Sequence, residues 1–354
     1  MSVVRRIAYA LTTLFTVAVV AVELTGAPIL VIFALASLSL VGLAWALGRA
    51  TESLGHHAGP RISGILNATF GNAAELIITI FALYAGLNEV VKASIIGSVI
   101  GNVLLVLGAS ILLGGIKNGT QKFSPAIAGI NAAMLAIVTV GLALPTIFAG
   151  AYPGAGAEAR TTEYLSISVA VVLLILYLSY ILFYLRSPQR PSGGGEEEGG
   201  APLGLVISLV LLLGTTAAVA FVSEIFVGVI EPLVDEIGIS ELFVGVILVP
   251  VVGNIAEHVV GVQIAYKNDM DFSMAISLGS SLQVALLVTP LLVFLGPLFD
   301  NPLNLVFSTL ELAALAAAVV VTAFVALDGE SNWLEGAMLC GVYAIAALAF
   351  FFSP

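Results

Sequence analysis

Apolar residues run along this chain in long unbroken stretches rather than in alternation. Eleven stretches predict helices, at residues 7–24, 27–48, 62–86, 93–115, 125–149, 163–185, 202–222, 240–266, 272–296, 303–327 and 332–352. Each reaches the ~18 apolar residues needed to cross about 30 Å of hydrocarbon. Continuous runs of this length argue against a transmembrane barrel, whose strands alternate. The predicted fold class is therefore an all-α polytopic membrane protein. Arg5 and Arg6 ahead of the first run resemble the start of a signal peptide. The second run follows almost at once and no clear small-x-small cleavage site precedes it, so residues 1–24 are expected to form a leading transmembrane helix.

Composition agrees with the pattern. Only 9% of the 354 residues are charged and 60% are hydrophobic, against roughly 25% charged in a soluble domain. The net charge of −11 comes from an excess of acidic residues and gives no reason to expect nucleic acid. No zinc-finger spacing, phosphate-binding loop or dinucleotide fingerprint is present, so no cofactor and no enzymatic chemistry are expected. The single cysteine, Cys340, cannot form an internal disulfide.

The basic residues predict an orientation. With the N-terminus in the cytoplasm, Arg5, Arg6, Arg49, Arg61, Lys117, Lys122, Arg186, Arg190 and Lys267 lie inside, and only Lys92 and Arg160 outside. That bias follows the positive-inside rule, and one miscounted helix would scramble it. The 223–239 loop, with Glu224, Glu231, Asp235 and Glu236, then faces outside, where it could attract cations.

Residues 187–201 hold Pro188, Pro191, three glycines and Glu196-Glu197-Glu198, the most linker-like stretch in the chain. They are expected to form a cytoplasmic acidic linker between repeats at 25–186 and 202–354. Gly71, Asn72 and Glu75 recur as Gly253, Asn254 and Glu257, an offset of 182 (253 − 71). Gly97 and Ser98 recur at the same offset as Gly279 and Ser280. Two successive repeats of five spans must lie in opposite orientations. Many secondary transporters have this layout, with the binding site near the midplane between the repeats.

A carboxylate in such a span costs roughly 2.5–3.5 kcal/mol and marks a functional site by default. Asn72 and Glu75 share a helix face at spacing i, i+3, as do Asn254 and Glu257. Carboxylate and amide oxygens form a hard-cation ligand set, suited to Ca²⁺. Pro250 cannot donate to the Val246 carbonyl and is expected to free it, while Gly71 and Gly253 permit a helix break or close packing. Ser98, Ser280, Asn102 and Gln283 are candidates for the same site, with interhelical hydrogen bonding as the alternative. That alternative is preferred for Ser94, Ser277 and Ser281. His258 replaces Leu76 of the first copy and, beside Glu257, is a candidate for proton coupling together with Glu75 and Glu257. Glu311, some nine residues into its span, is expected to partner a buried polar group.

These residues resemble a known family. Leu66-Asn67-Ala68-Thr69-Phe70-Gly71-Asn72-Ala73-Ala74-Glu75-Leu76-Ile77 is similar to the first signature of the cation/proton exchanger (CAX) family of the calcium/cation antiporter superfamily. Val249-Pro250-Val251-Val252-Gly253-Asn254-Ile255-Ala256-Glu257-His258 is similar to its second. The resemblance implies a Ca²⁺/H⁺ antiporter with eleven helices: one leading helix and two inverted five-helix repeats. It implies that Glu75 and Glu257 bind Ca²⁺ and H⁺ in turn, supported by Asn72 and Asn254 with Gln283 and Ser98 or Ser280 nearby. Ca²⁺ and H⁺ are then transported substrates, and the lipid bilayer of a prokaryotic plasma membrane is the surrounding partner. Assembly into a homo-oligomer stays open. Rival readings are a sodium-coupled or other divalent-cation exchanger, a passive cation channel, and an intramembrane metallohydrolase. The last lacks a His-Glu-x-x-His helix, with only three histidines in the chain.

Overall fold

The structure is a computed structural model that describes residues 3–58, 66, 70–152, 160–186 and 204–353. The expected linker at 187–201 and most of the stretch before Gly71 lie outside the described residues. The described chain is almost wholly helical. Helices α1 (Val3–Thr25) and α2 (Ile29–Ala58) precede a short α3 (Ala73–Tyr84). Then α4 (Asn88–Ile100) continues through a π-helical turn, Gly101–Val106, into α5 (Leu107–Asn118). Helices α6 (Pro125–Ala151), α7 (Arg160–Arg186), α8 (Leu205–Gly228) and α9 (Ile230–Ile237) follow. A one-turn α10 (Glu241–Phe243) leads through a π turn, Val244–Leu248, into α11 (Val249–Tyr266). Next, α12 (Met270–Gln283) passes through a third π turn, Val284–Val288, into α13 (Thr289–Leu295). The chain closes with α14 (Thr309–Val325) and α15 (Trp333–Phe351).

Among the described residues, eight helical segments are long and apolar enough to cross a membrane. A ninth is broken, with Glu241–Ile255 and Glu257–Tyr266 meeting at 67°. Two shorter apolar helices, α3 and α14, complete the set. Large apolar side chains stay exposed on the outside of the bundle, including Val140, Leu144, Ile175, Leu178 and Val210. Such a surface suits lipid. The most buried stretch is α4 through α5, where Ile95, Ile96, Ile100, Leu104 and Leu107 are fully enclosed.

The connecting segments gather into two groups. In one, the Asn118 amide donates to the Tyr266 carbonyl at 3.2 Å, and Gln121 Nε2 to the Ala265 carbonyl at 2.8 Å. In that group the Ser124 N–H donates to Asp271 (2.6 Å), and strand Gln121–Lys122 pairs antiparallel with Glu330–Ser331. In the other, the Asn301 amide donates to the Tyr84 carbonyl at 3.3 Å, and Lys92 Nζ to the Val306 carbonyl at 3.0 Å. There Leu305 N–H donates to Ser166 and Phe307 N–H to Thr146. The continuous helix α4–α5 runs from one group to the other, so they lie at opposite ends of the bundle. Each Asn amide satisfies a carbonyl left open at a helix C-terminus, α3 or α11. Tyr84 and Tyr266 are themselves 182 residues apart.

Two expectations need correction. The Val246 carbonyl does not open into a cavity: it sits where a Cβ on Gly97 would lie, so α4 and the π turn meet backbone to backbone. The π turn supplies the reason, because Val249 N–H reaches back five residues to Val244 and widens the helix ahead of Pro250. Glu311 is not deep in a span. It is the third residue of α14, and its carboxylate accepts from the Ser308 N–H (2.7 Å) in a capping box. A capping residue is normally solvated, but here the helix start is covered and Glu311 is buried.

Gly97→Ala should destabilise the protein by about 1–3 kcal/mol, since neither backbone can yield. Gly129→Ala, with open space at that position, should leave thermal unfolding in detergent unchanged or slightly improved. Equal melting temperatures for the two variants would contradict the close backbone contact.

Candidate cation site between two broken helices

Glu75 sits at the start of a short helix and Glu257 directly after the bend in α11. Gly71 and Asn72 form a turn, and α3 begins at Ala73 with Asn72 at its N-cap. Glu75 is therefore in the first helical turn. The broken span resumes at Glu257 after its 67° bend. The break falls beyond Gly253 rather than at it. The positive end of the α3 dipole thus favours the Glu75 carboxylate, worth about 0.3–1 kcal/mol at a surface and more when partly buried. Gly253 lets the two elements touch: a Cβ there would lie 3.4 Å from the Glu75 Cβ.

Asn72 does not spend its side chain on capping the helix it precedes. Its Nδ2 donates to Gln283 Oε1 at 2.9 Å, and its Oδ1 accepts from Ser280 Oγ at 2.9 Å. Asn102 Nδ2 donates to the same Ser280 hydroxyl at 3.1 Å. A second cluster forms around Glu75. Ser98 Oγ donates to its Oε1. Asn254 Nδ2 donates to its Oε2 at 3.1 Å and approaches Ser98 Oγ at 3.3 Å. Each Asn thus crosses to the other half of the chain, as does Ser280.

All eight oxygen-bearing candidates named from the sequence (Glu75, Glu257, Asn72, Asn254, Ser98, Ser280, Gln283 and Asn102) therefore lie in one connected region. Ser280 adjoins Glu257 as well as Asn72, and the charge of Glu257 acts on Glu75. Asn72, Glu75, Ser98, Asn102, Asn254 and Ser280 are all buried. Of these eight side chains, two have a buried acceptor with no partner among the described residues: Asn254 Oδ1 and Glu257 Oε2. An orphaned buried acceptor costs about 1–3 kcal/mol, and oxygens left in that state beside a second carboxylate are what a hard cation would satisfy. His258 follows Glu257, partly exposed and without a hydrogen bond to a described residue. Of the serines expected to bridge helices, only Ser281 does so, reaching Val99 O at 3.5 Å; Ser94 and Ser277 hydroxyls have no partner.

Sequence reasoning missed the three π turns. Two of them, Gly101–Val106 and Val284–Val288, occupy matched places in the halves and adjoin Asn102 and Gln283. Single π turns inside α-helices are frequent at functional sites. They carry no composition signal that would reveal them beforehand.

Two helical halves, each carrying a carboxylate to one crossing inside an apolar bundle, fit a membrane transport protein. The family model described as sodium/calcium exchanger protein matches this chain twice, over residues 28–186 and 207–352. The chain belongs to that family. It is 41% identical over 339 residues to the Ca²⁺/H⁺ antiporter of Aphanothece halophytica, covering 91% of this chain and 90% of that protein. It is likewise 41% identical over 330 residues to the Ca²⁺/H⁺ antiporter ChaA of Bacillus subtilis, covering 92% and 93%. Among solved structures it is similar to native YfkE, with TM-score 0.85 and 36% identity over 98% of this chain and 100% of that one.

Asn72→Ala would strand Gln283 Oε1 and take away the acceptor to which the Ser280 hydroxyl donates. The expected loss is about 1–3 kcal/mol of stability, measured by thermal unfolding in detergent. An unchanged transition would show that the amide bridge does not form.

Proposed function

We propose that this protein is a secondary transporter that exchanges cytoplasmic Ca²⁺ for H⁺ at one carboxylate site shared by the two ions. The observation that carries the reading is the meeting of Glu75, in the first turn of α3, and Glu257, just past the bend of α11, with orphaned buried oxygens beside them. Its relatives from Aphanothece and Bacillus, both Ca²⁺/H⁺ antiporters by name, point the same way.

The site is built from Glu75, Glu257, Asn72, Asn254, Ser98, Ser280, Gln283 and Asn102, with Glu75, Glu257 and His258 in proton coupling. With Ca²⁺ present, two carboxylates balance its two charges in a medium where an unpaired charge is costly. Without it, two like charges close together and out of water repel, and protons relieve them. An empty charged site is the expensive state, so the protein changes conformation with Ca²⁺ or protons bound, which couples the fluxes.

The architecture behind this reading has eleven membrane crossings: a leading helix, then inverted repeats at 25–186 and 202–354 joined by a cytoplasmic linker at 187–201. Matched contacts at opposite ends of the bundle support it. Asn118 holds the Tyr266 carbonyl at one end and Asn301 the Tyr84 carbonyl at the other. Similarly, Asp271 holds residue 124 at one end and Lys92 holds residue 306, at the same offset of 182, at the other. The two grouped sets of loops are also those that the alternation of basic residues assigns to inside and outside. The end bearing Lys117, Lys122 and Lys267 is the cytoplasmic one, the N-terminus lies in the cytoplasm, and the membrane is a prokaryotic plasma membrane.

In everted vesicles, an acid interior should drive ⁴⁵Ca uptake, and Glu75→Gln or Glu257→Gln should each abolish it. A Na⁺ gradient at constant pH should drive none. Robust pH-driven uptake by either Gln variant, or uptake driven by Na⁺ alone, would overturn the reading.

A further inference from the structure

The two halves of the site are not equivalent in this structure. Both orphaned acceptors, Asn254 Oδ1 and Glu257 Oε2, belong to the second repeat. Their counterparts are occupied. Glu75 is 1% exposed and both its carboxylate oxygens accept hydrogen bonds, from Ser98 and Asn254. Asn72 has its amide nitrogen on Gln283 and its oxygen under Ser280.

This imbalance is written in the sequence as well as in the conformation. Gln283 and Asn102 complete the bonding around Asn72 and Ser280. At the offset of 182 their counterparts are Gly101 and Val284, which have no polar side chain. Ser98, the counterpart of Ser280, is the one matched hydroxyl that could occupy the Asn254 carbonyl, and in this structure it donates to Glu75 instead.

Access is uneven in the same sense. On the outer side, α4 and the Val244–Leu248 turn close on each other. The Val246 carbonyl lies on Gly97, and a Cβ on Gly245 would come within 2.8 Å of the Val90 carbonyl. Glu257 and His258 are partly exposed as residues, although Glu257 Oε2 itself is buried, and both lie beyond the bend, on the half of the span that ends at Tyr266.

We infer that the second repeat supplies the first ligands that a cation meets from the cytoplasm, the Glu257 carboxylate and the Asn254 side-chain carbonyl. In this state Glu75 and Asn72 serve as the wall that holds them. The inference rests on the exchange reading above and assigns an order to its two carboxylates. A cation arriving on Glu257 and Asn254 has one charge still uncompensated, and Glu75 lies next to it through the Asn254 amide. Glu75 can complete the shell by turning a free lone pair toward the cation while the Asn254 amide still holds it, so the wall joins the site as the ion settles.

Shortening each carboxylate keeps its charge and tests the order. In everted vesicles, which present the cytoplasmic face, Glu257→Asp should raise the KM for Ca²⁺ about tenfold. Glu75→Asp should lower the maximal rate with KM changed less than about twofold. Equal KM changes, or a larger one for Glu75→Asp, would overturn the assignment. Labelling gives a readout that needs no transport. With the sole cysteine removed by Cys340→Ala, a membrane-impermeant thiol reagent added to everted vesicles should modify Glu257→Cys and spare Glu75→Cys. Comparable labelling of both, or of neither, would overturn it too. Absence of pH-driven uptake by the wild-type protein, by contrast, would remove the exchange reading while the labelling pattern still decided the order.

Discussion

The crossing of α3 and α11, where Glu75 packs against Gly253, is the constraint on which the rest of the molecule depends. A carboxylate at that depth is expensive on its own. Two of them near each other are worse, unless dipoles, hydrogen bonds or a cation compensate. The chain supplies the first two directly. Glu75 lies in the first turn of α3, Ser98 and Asn254 donate to it, and Ser280 adjoins Glu257. The remaining deficit, two buried acceptors without partners, is left to the transported ion.

Supporting this crossing requires helices that are interrupted yet firmly anchored. The loops do the anchoring. Asn118 and Asn301 satisfy the last carbonyls of α11 and α3, tying each half to the other at opposite ends of the bundle. Between those anchors, π turns at 101–106, 244–248 and 284–288 change helix register without breaking the hydrogen-bonded chain. The irregular segment before α14 stays buried because Thr146, Ser166 and Lys92 meet its backbone groups. Irregular backbone within a membrane bundle is tolerated where protein satisfies it in this way.

Much of this was legible in the residues. Apolar run length identified the helices, and the repeated Gly-Asn-x-Ala-Glu pattern brought together all eight oxygen-bearing candidates, because deep polar groups have few other partners. The pattern could not show how those groups divide. Gln283 and Asn102 turned out to bind Asn72 and Ser280 rather than to stand free, and Asn254 alone kept an open carbonyl. Pro250 misled in a definite way. Loss of one donor does free a carbonyl, but the π turn ahead of it aims that group at Gly97. Glu311 misled because burial of its capping box comes from tertiary packing, which local sequence does not encode.

The central claim is that Ca²⁺ and protons compete for one site, so that neither moves without the other. Simultaneous recording of Ca²⁺ and H⁺ fluxes in liposomes containing the purified protein tests it most directly. The account predicts that Ca²⁺ accumulates against its own gradient with protons moving the opposite way in fixed proportion, and that Glu257→Gln stops both fluxes together. Calcium movement that continues without a proton counterflow would contradict it.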